Sequence, residues 1–316
     1  MPKIVTIGGG SGQYGILTGL KRNDKVKQED ISAIVTTFDS GGNTGLLLEA
    51  RKPKDVKGNY LPIGDIRQCL AALANRPIEM FQYRIKEGEN KGAVVGNVIL
   101  DALFEMHKND FQKAIEEARK EYDVRGNVYP CTLTRGHFYG VLRDGHKIDG
   151  ENMLVEMSMF YESPVEKIAI EPSDLEANLE AVQALLTADK IILSQGSLYT
   201  SLLPNIAVKG ISEAIRKSSA KKVYIMNIVT QRGETDRFTA KRHVDEIEKY
   251  LGEGTIDRVV LHSGELPQGL EAKYAREMQQ SVFDDLGNHG RVIRGELIPK
   301  DSPVLRHDPD KLAEII

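Results

Sequence analysis

The chain has 316 residues, 41% hydrophobic and 28% charged, enough for one large α/β domain or two smaller ones. A formal net charge of -4 argues against a general nucleic-acid or membrane-surface binder, while a local basic pocket stays open. Two distant cysteines, Cys69 and Cys131, make no metal or redox pair; no apolar run is long enough for a bilayer and no signal peptide is visible, so a cytoplasmic protein without membrane insertion is expected.

The first element is a β-branched run, Lys3 to Ile7, which enters Gly8-Gly9-Gly10-Ser11-Gly12 and then a helical spacing through Ile16, Leu17 and Leu20. Strand, tight turn and helix in that order bring free backbone N–H groups and the positive end of a helix to one spot, which favours an anion. Residues 10–15 also match the dinucleotide pattern G-x-G-x-x-G, though such a match alone equally describes a plain tight turn. A second strand, Ile31 to Phe38, ends at Asp39 and a further turn, Gly41-Gly42-Asn43-Thr44. Asp39 reads either as a ribose or magnesium ligand or as a turn-forming Asx residue.

Asp65 and Arg67 open a helix running through Leu73; a capping aspartate beside a solvated arginine explains them as well as a site does. Helices follow at Asn97 to Met106 and Asp110 to Tyr122. Val128 to Leu133 and His137 to Ile148, with a turn at Asp144-Gly145, read as antiparallel strands. They suggest a β insertion over about 126–160. The βα alternation resumes at Val165 to Ile170, a helix from Ser173 to Leu186 and a buried strand at Lys190 to Leu193. Gln195 to Ser201 forms another glycine–hydroxyl turn ahead of a helix. A strand at Lys222 to Ile228 leads to Thr230 to Thr235, a helix to Ala240–Leu251, a strand to Arg258–Leu261, and a strand and short helix close the chain. The expected architecture is one Rossmann-like, doubly wound domain over 1–316, with a mostly parallel sheet and a small antiparallel β insertion.

In such sheets ligands bind beyond the carboxyl ends of the strands. The segments after Ile7, Phe38, Leu193 and Ile228 should therefore share one rim and grip a phosphate-bearing ligand. A histidine metal site and a nucleophile elbow find no support in the spacing, and no loop has a Walker ending.

Several blocks resemble the gluconeogenesis factor family: Ile7 to Gly12, Gly41-Gly42, Pro62 to Leu73, Gly96-Asn97, Gly196 to Asn205, Asn227 through Gln231, Gly233-Glu234-Thr235, and Arg306 to Pro309. That family is similar in fold to 2-phospho-L-lactate transferase. The resemblance implies binding of a uridine-diphosphate sugar, such as UDP-N-acetylglucosamine, and a role in cell-wall precursor supply and cell shape. Carried onto this sequence it implies a ligand set of Gly8, Gly9, Gly10, Ser11, Gly12, Asp39, Gly41, Gly42, Asn43, Thr44, Asp65, Arg67, Asn97, Ser197, Tyr199, Thr200, Asn205, Gln231 and Arg306. Magnesium, with Asp39 as its candidate ligand, is the implied cofactor, and a homodimer one implied assembly. The alternatives are a phospholactyl transferase using a guanosine-diphosphate donor to make a deazaflavin coenzyme and, resting on the glycine pattern alone, a nicotinamide dehydrogenase. The sequence departs from the family at Ser40, Asn43, Thr44 and Leu46, at Ala93-Val94-Val95, and at Ser194-Gln195, where the family carries Gly-Pro.

Overall fold

A computed structural model of the protein describes residues 1–38, 60–287 and 290–316. The strands are β1 (Ile4–Gly8), β2 (Ile31–Val35), β3 (Asn127–Pro130), β4 (His137–Leu142), β5 (Lys147–Asp149), β6 (Val165–Glu171), β7 (Lys190–Leu193), β8 (Lys221–Ile225), β9 (Arg258–His262) and β10 (Val292–Gly295). Seven of them form one sheet in the order β10-β9-β8-β7-β1-β2-β3, and every neighbouring pair is parallel. The chain winds outward from β1 to β3, returns to lay β7 beside β1, and then winds outward the other way. The strand order therefore reverses between β1 and β7, where an open parallel sheet has its crevice.

The central strands are predominantly apolar because both sheet faces are covered. All five residues of β1 and of β2 are buried. Side chains of β1 alternate between faces: Val5 and Ile7 join one core cluster and Ile4 the other. The helices on the Ile4 face include α1 (Gly10–Arg22), α2 (Gly64–Leu73), with the short α3 (Glu79–Gln82) beyond it, α4 (Val95–Met106) and α5 (Phe111–Glu121). After α6 (Glu151–Phe160), helices α7 (Leu179–Thr187), α8 (Leu203–Ala207), α9 (Ile211–Lys217) and α10 (Ala240–Leu251) cover the Val5 face. Two further helices are α11 (Leu270–Arg276) and α12 (Pro309–Ile315), and Leu312 of α12 packs into the Ile4 cluster.

Local chemistry sets the helix starts. Asp110 accepts from the Lys113 N–H to cap α5, Asn178 from Glu180 to cap α7, and Thr239 from Arg242 to cap α10. Val244, Ile247 and Leu251 give α10 a buried stripe at helical spacing.

Two expectations for the β insertion are corrected. The run expected as an antiparallel strand at Val128 to Leu133 is β3, which pairs parallel with β2 at the edge of the main sheet. Val165 to Ile170, expected to resume the parallel alternation, is β6 and pairs antiparallel with β4 in a separate three-stranded sheet ordered β5-β4-β6. Its burial alternates along the strand, as suits a sheet with one face on the core, whereas β7 is buried through its last three residues. The helix expected from Ser173 begins only at Leu179, because Asn178 is its cap. Helix α6 was not anticipated. It lies on the small sheet where Gly140 leaves room: a Cβ there would sit 2.2 Å from a Leu154 methyl. No helix among the described residues is long and apolar enough to cross a membrane.

Candidate functional site at the strand-order reversal

Because β1 and β7 run parallel with Ile7 opposite Leu193, the bends that follow them leave the same rim of the sheet. They then touch. A Cβ on Gly12 would lie 2.0 Å from the Gln195 carbonyl oxygen, and one on Gly8, where φ is +155°, would lie 2.1 Å from Ser194 Oγ. Glycine is required at Gly12 by close approach of backbone to backbone, and at Gly8 by a positive φ as well as by the nearby Ser194 side chain. Asn227, just beyond β8, ties in a third loop. Its Oδ1 accepts from the Gly196 N–H at 2.8 Å, and its Nδ2 donates to the Gly196 carbonyl at 2.7 Å and to Gln231 Oε1 at 3.2 Å.

Helix α1 starts inside this junction. Gly9 is its N-cap and offers no side chain; no acidic residue stands in its first turn; the first N–H to bond back is that of Gln13, to the Gly9 carbonyl at 3.0 Å. The N–H groups of Gly10, Ser11 and Gly12 therefore have no intrahelical acceptor, at the positive end of the helix dipole. Gln13 fixes the junction from beneath: its Nε2 donates to the carbonyls of Gly8 at 3.0 Å and Ile34 at 2.9 Å, and its Oε1 accepts from the Thr6 hydroxyl. Gly10 rests on the start of α2, where a Cβ would meet the Asp65 carbonyl oxygen at 2.5 Å, and Ser11 Oγ donates to Gln68 Oε1 at 3.0 Å.

Above α1 lies a cleft of about 750 Å³, a volume ordinary for a small-molecule site. Its lining includes Ser11, Gly12, Tyr14, Gln68, Gln82, Gln195, Asn227, Gln231, Gln279, Arg306 and His307. Arg306 is the one permanently charged side chain among these described lining residues. Side-chain amides, which both donate and accept, dominate the rest. Among the described residues no group of three or more His, Cys, Asp or Glu is placed to hold a metal ion.

The hydroxyl-rich bend after β7 is organised differently. Leu198–Leu202 makes a π-helical turn leading into α8. Glu234, 7% exposed, accepts from Ser197 Oγ at 2.5 Å and from the Tyr199 N–H at 3.1 Å; burial pushes its carboxyl above the usual range despite those bonds. Thr200 Oγ1 donates to Glu151 Oε1 of α6 at 3.2 Å, and its N–H donates to Ser197 Oγ at 3.0 Å. Tyr199 and Asn205 are fully buried, and Asn205 Nδ2 donates to the carbonyls of Ser201 at 2.7 Å and Gly8 at 3.3 Å. Ser197, Tyr199, Thr200 and Asn205 thus frame the bend from below, instead of standing in the cleft wall.

Of the expected site residues, the structure gathers Gly8 to Gly12, Gln231 and Arg306 at or around the cleft. Arg67 and Asn97 form a pair of their own, Nε to Oδ1 at 2.9 Å, with Gly96 packed on the Arg67 stem; burial lowers the Arg67 pKa, so the solvated arginine of the bland reading is not what is found. Asp65 sits at the start of α2 beside Gly9 and Gly10. Asp39, Gly41, Gly42, Asn43 and Thr44 lie outside the described residues, and with them the candidate magnesium ligand. Sequence reasoning missed Gln195, Asn227, Gln279 and His307 as site residues, and Glu234 as the anchor of the second bend. Asn227 stands just beyond the end of β8, and Asn227, Glu234 and His307 each lie inside a block that resembles the family, which was the available signal; Gln279 arrives from a segment with no local mark. His307 is 7% exposed, and burial pushes its imidazole down to about 3.

Comparison with known proteins follows the same line. The family model of 2-phospho-L-lactate transferase CofD matches residues 4–298. The gluconeogenesis factor of Bacillus subtilis is 36% identical, covering 100% of this chain and 97% of its own length. That of Halalkalibacterium halodurans is 35% identical, covering 99% and 95%. A crystal structure from Bacillus halodurans, described as a member of the UPF0052 family, superposes with a TM-score of 0.89 at 35% identity, covering 100% of this chain and 99% of that one. With a parallel sheet reversed at β1/β7, glycine contacts at that reversal and full-length similarity on both measures, this chain belongs to the gluconeogenesis factor family, within the wider family of 2-phospho-L-lactate transferase CofD.

Proposed function

We propose that this chain binds a nucleotide sugar of the UDP-N-acetylglucosamine class in the β1/β7 cleft, and that it acts as a regulator of cell-wall precursor supply and cell shape during gluconeogenic growth. The observation that carries the reading is the uncapped start of α1 set in the same cleft as Arg306, between walls of side-chain amides. Backbone N–H groups at a helix start together with a guanidinium suit a diphosphate. Amides suit a base and a sugar, which present mixed donors and acceptors. The relatives' name, gluconeogenesis factor, supports the regulatory part.

The family description, 2-phospho-L-lactate transferase, also supports a second reading, a transferase, for which we take a guanosine-diphosphate donor. It would need a metal carboxylate. The described cleft walls offer neutral amides and an arginine, a set that favours anions over magnesium, so magnesium binding rests on Asp39.

Isothermal titration with UDP-N-acetylglucosamine, UDP-glucose and a guanosine-diphosphate compound, each with and without magnesium, separates the readings. Saturable, unconsumed UDP-sugar is the expected result, and Arg306→Ala should weaken it by roughly tenfold to a hundredfold, the range for a charge-assisted contact. Flat titrations with every UDP-sugar would overturn the first reading, and turnover of a deazaflavin acceptor would install the second.

A further inference from the structure

Two imidazoles beside the cleft have no part in that reading so far. His262 ends β9, and its Nδ1 accepts from the Leu297 N–H at 3.0 Å. The Leu297 carbonyl accepts from the Asp308 N–H at 2.7 Å, so one residue's backbone ties His262 to the segment bearing Arg306 and His307. A ring nitrogen that accepts from an N–H carries no proton, which places the proton of neutral His262 on Nε2. The Nε2 atoms of His262 and His307 are both buried and both lack a hydrogen-bond partner. Burying such atoms unpaired is costly, which favours pairing a protonated ring nitrogen with a bare one. His307 also lines the cleft, and with Nε2 turned inward its Nδ1 is the ring nitrogen left for the cleft. The charged groups facing the pair are Glu296 and Lys311, besides the adjoining Arg306; Asp308 is turned to α12, where it accepts from the N–H groups of Asp310 and Lys311.

We propose that His262 fixes the tautomer of His307: the Nε2–H of His262 faces the bare Nε2 of His307, directly or through one water, so that His307 presents Nδ1–H to the cleft and donates to a diphosphate beside Arg306. The inference rests on the reading that an anionic ligand fills this cleft. Burial and the nearby His262 both hold His307 neutral. A neutral imidazole of fixed tautomer is a donor whose character does not change across the physiological pH range. In this arrangement His307 touches the ligand and His262 is a positioning residue.

The test pairs nitrogen-15 NMR of the histidine rings with titrations of the full chain, using UDP-N-acetylglucosamine and inorganic pyrophosphate as probes. The expected spectra show His262 protonated on Nε2 and His307 on Nδ1. His307→Ala should weaken both probes by about tenfold, while His307→Asn, whose amide N–H takes the place of Nδ1–H, should recover most of that loss. His262→Phe should move the His307 proton to Nε2 and cost about threefold in affinity. A wild-type His307 protonated on Nε2 overturns the proposal, as does an alanine variant that binds as tightly as a binding wild type. Flat wild-type titrations would defeat the ligand reading instead, and the ring spectra would still decide the tautomer. Should the alanine variant melt early, the comparison of His307→Asn with wild type at equal melting temperature decides: binding much weaker than wild type in that variant counts against the Nδ1–H contact.

Discussion

The bends after β1 and after β7 look alike as sequence, each a glycine and hydroxyl run between a buried strand and a helix. The first leaves its backbone donors open: no side chain caps α1. The second turns its polar groups inward, with Ser197 and the Tyr199 N–H on Glu234 and Thr200 on Glu151. One bend is a surface offered to a ligand and the other a braced wall beside it. What separates them is how the partners brought in from elsewhere engage the bend: Glu234 and Glu151 accept hydrogen bonds from the second bend, whereas the first is packed by Gln195 backbone, by Gln68 and by Asp65, whose carboxylate lies beside Gly9, with no side-chain cap on its helix.

The contact between the two bends is the place to break this arrangement. Gly12→Ala puts a methyl group 2.0 Å from the Gln195 carbonyl oxygen, and should cost about 3 kcal/mol or more in thermal unfolding. Gly15→Ala, one turn along the same helix, meets nothing nearer than 3.8 Å and should leave the protein as stable or raise it by about 0.5–1 kcal/mol. Next in size is Asn227→Ala. It strips both hydrogen bonds from the Gly196 backbone, and a loss of about 2 kcal/mol is expected with weaker ligand binding. The smallest change sharpens the comparison most. Ser197→Ala should lower stability by about 1 kcal/mol and leave nucleotide affinity unchanged, while Arg306→Ala does the reverse. Melting curves and titrations on the same two variants check both halves.

The parallel sheet was legible because its central strands are short and rich in β-branched and apolar residues, and because glycine turns follow them. Lys190–Leu193 and Ala240–Leu251 are found at their expected bounds. Val165 to Ile170 precedes a helical stretch as the parallel strands do, but its half-buried alternation belongs to a strand with one covered face, and it pairs antiparallel in the small sheet. For the site, Gly8 to Gly12 announced themselves locally, since close backbone approach leaves a glycine signature. His307 and Glu234 lie in blocks that resemble the family, yet their roles could not be read there, and Gln279 had no mark at all, because their importance comes from what the fold sets opposite them. Tyr199 and Asn205 show the converse: they belong to a recognisable block, yet the block is recognisable for holding a bend together.

Glycines 12, 15 and 19 fall on one stripe of α1. Gly12 meets the Gln195 backbone, and Gly19 seats the last helix, where a Cβ would lie 1.9 Å from the Pro309 carbonyl oxygen. Two turns of one helix, about 10 Å, thus carry the bend after β7 at one end and, at the other, the root of the segment that delivers Arg306 and His307. The gap between those two jaws is set by a rigid spacer, so a change of preferred cargo in this scaffold should come through exchange of the amide-bearing residues along the jaws, with the jaws themselves held at fixed width.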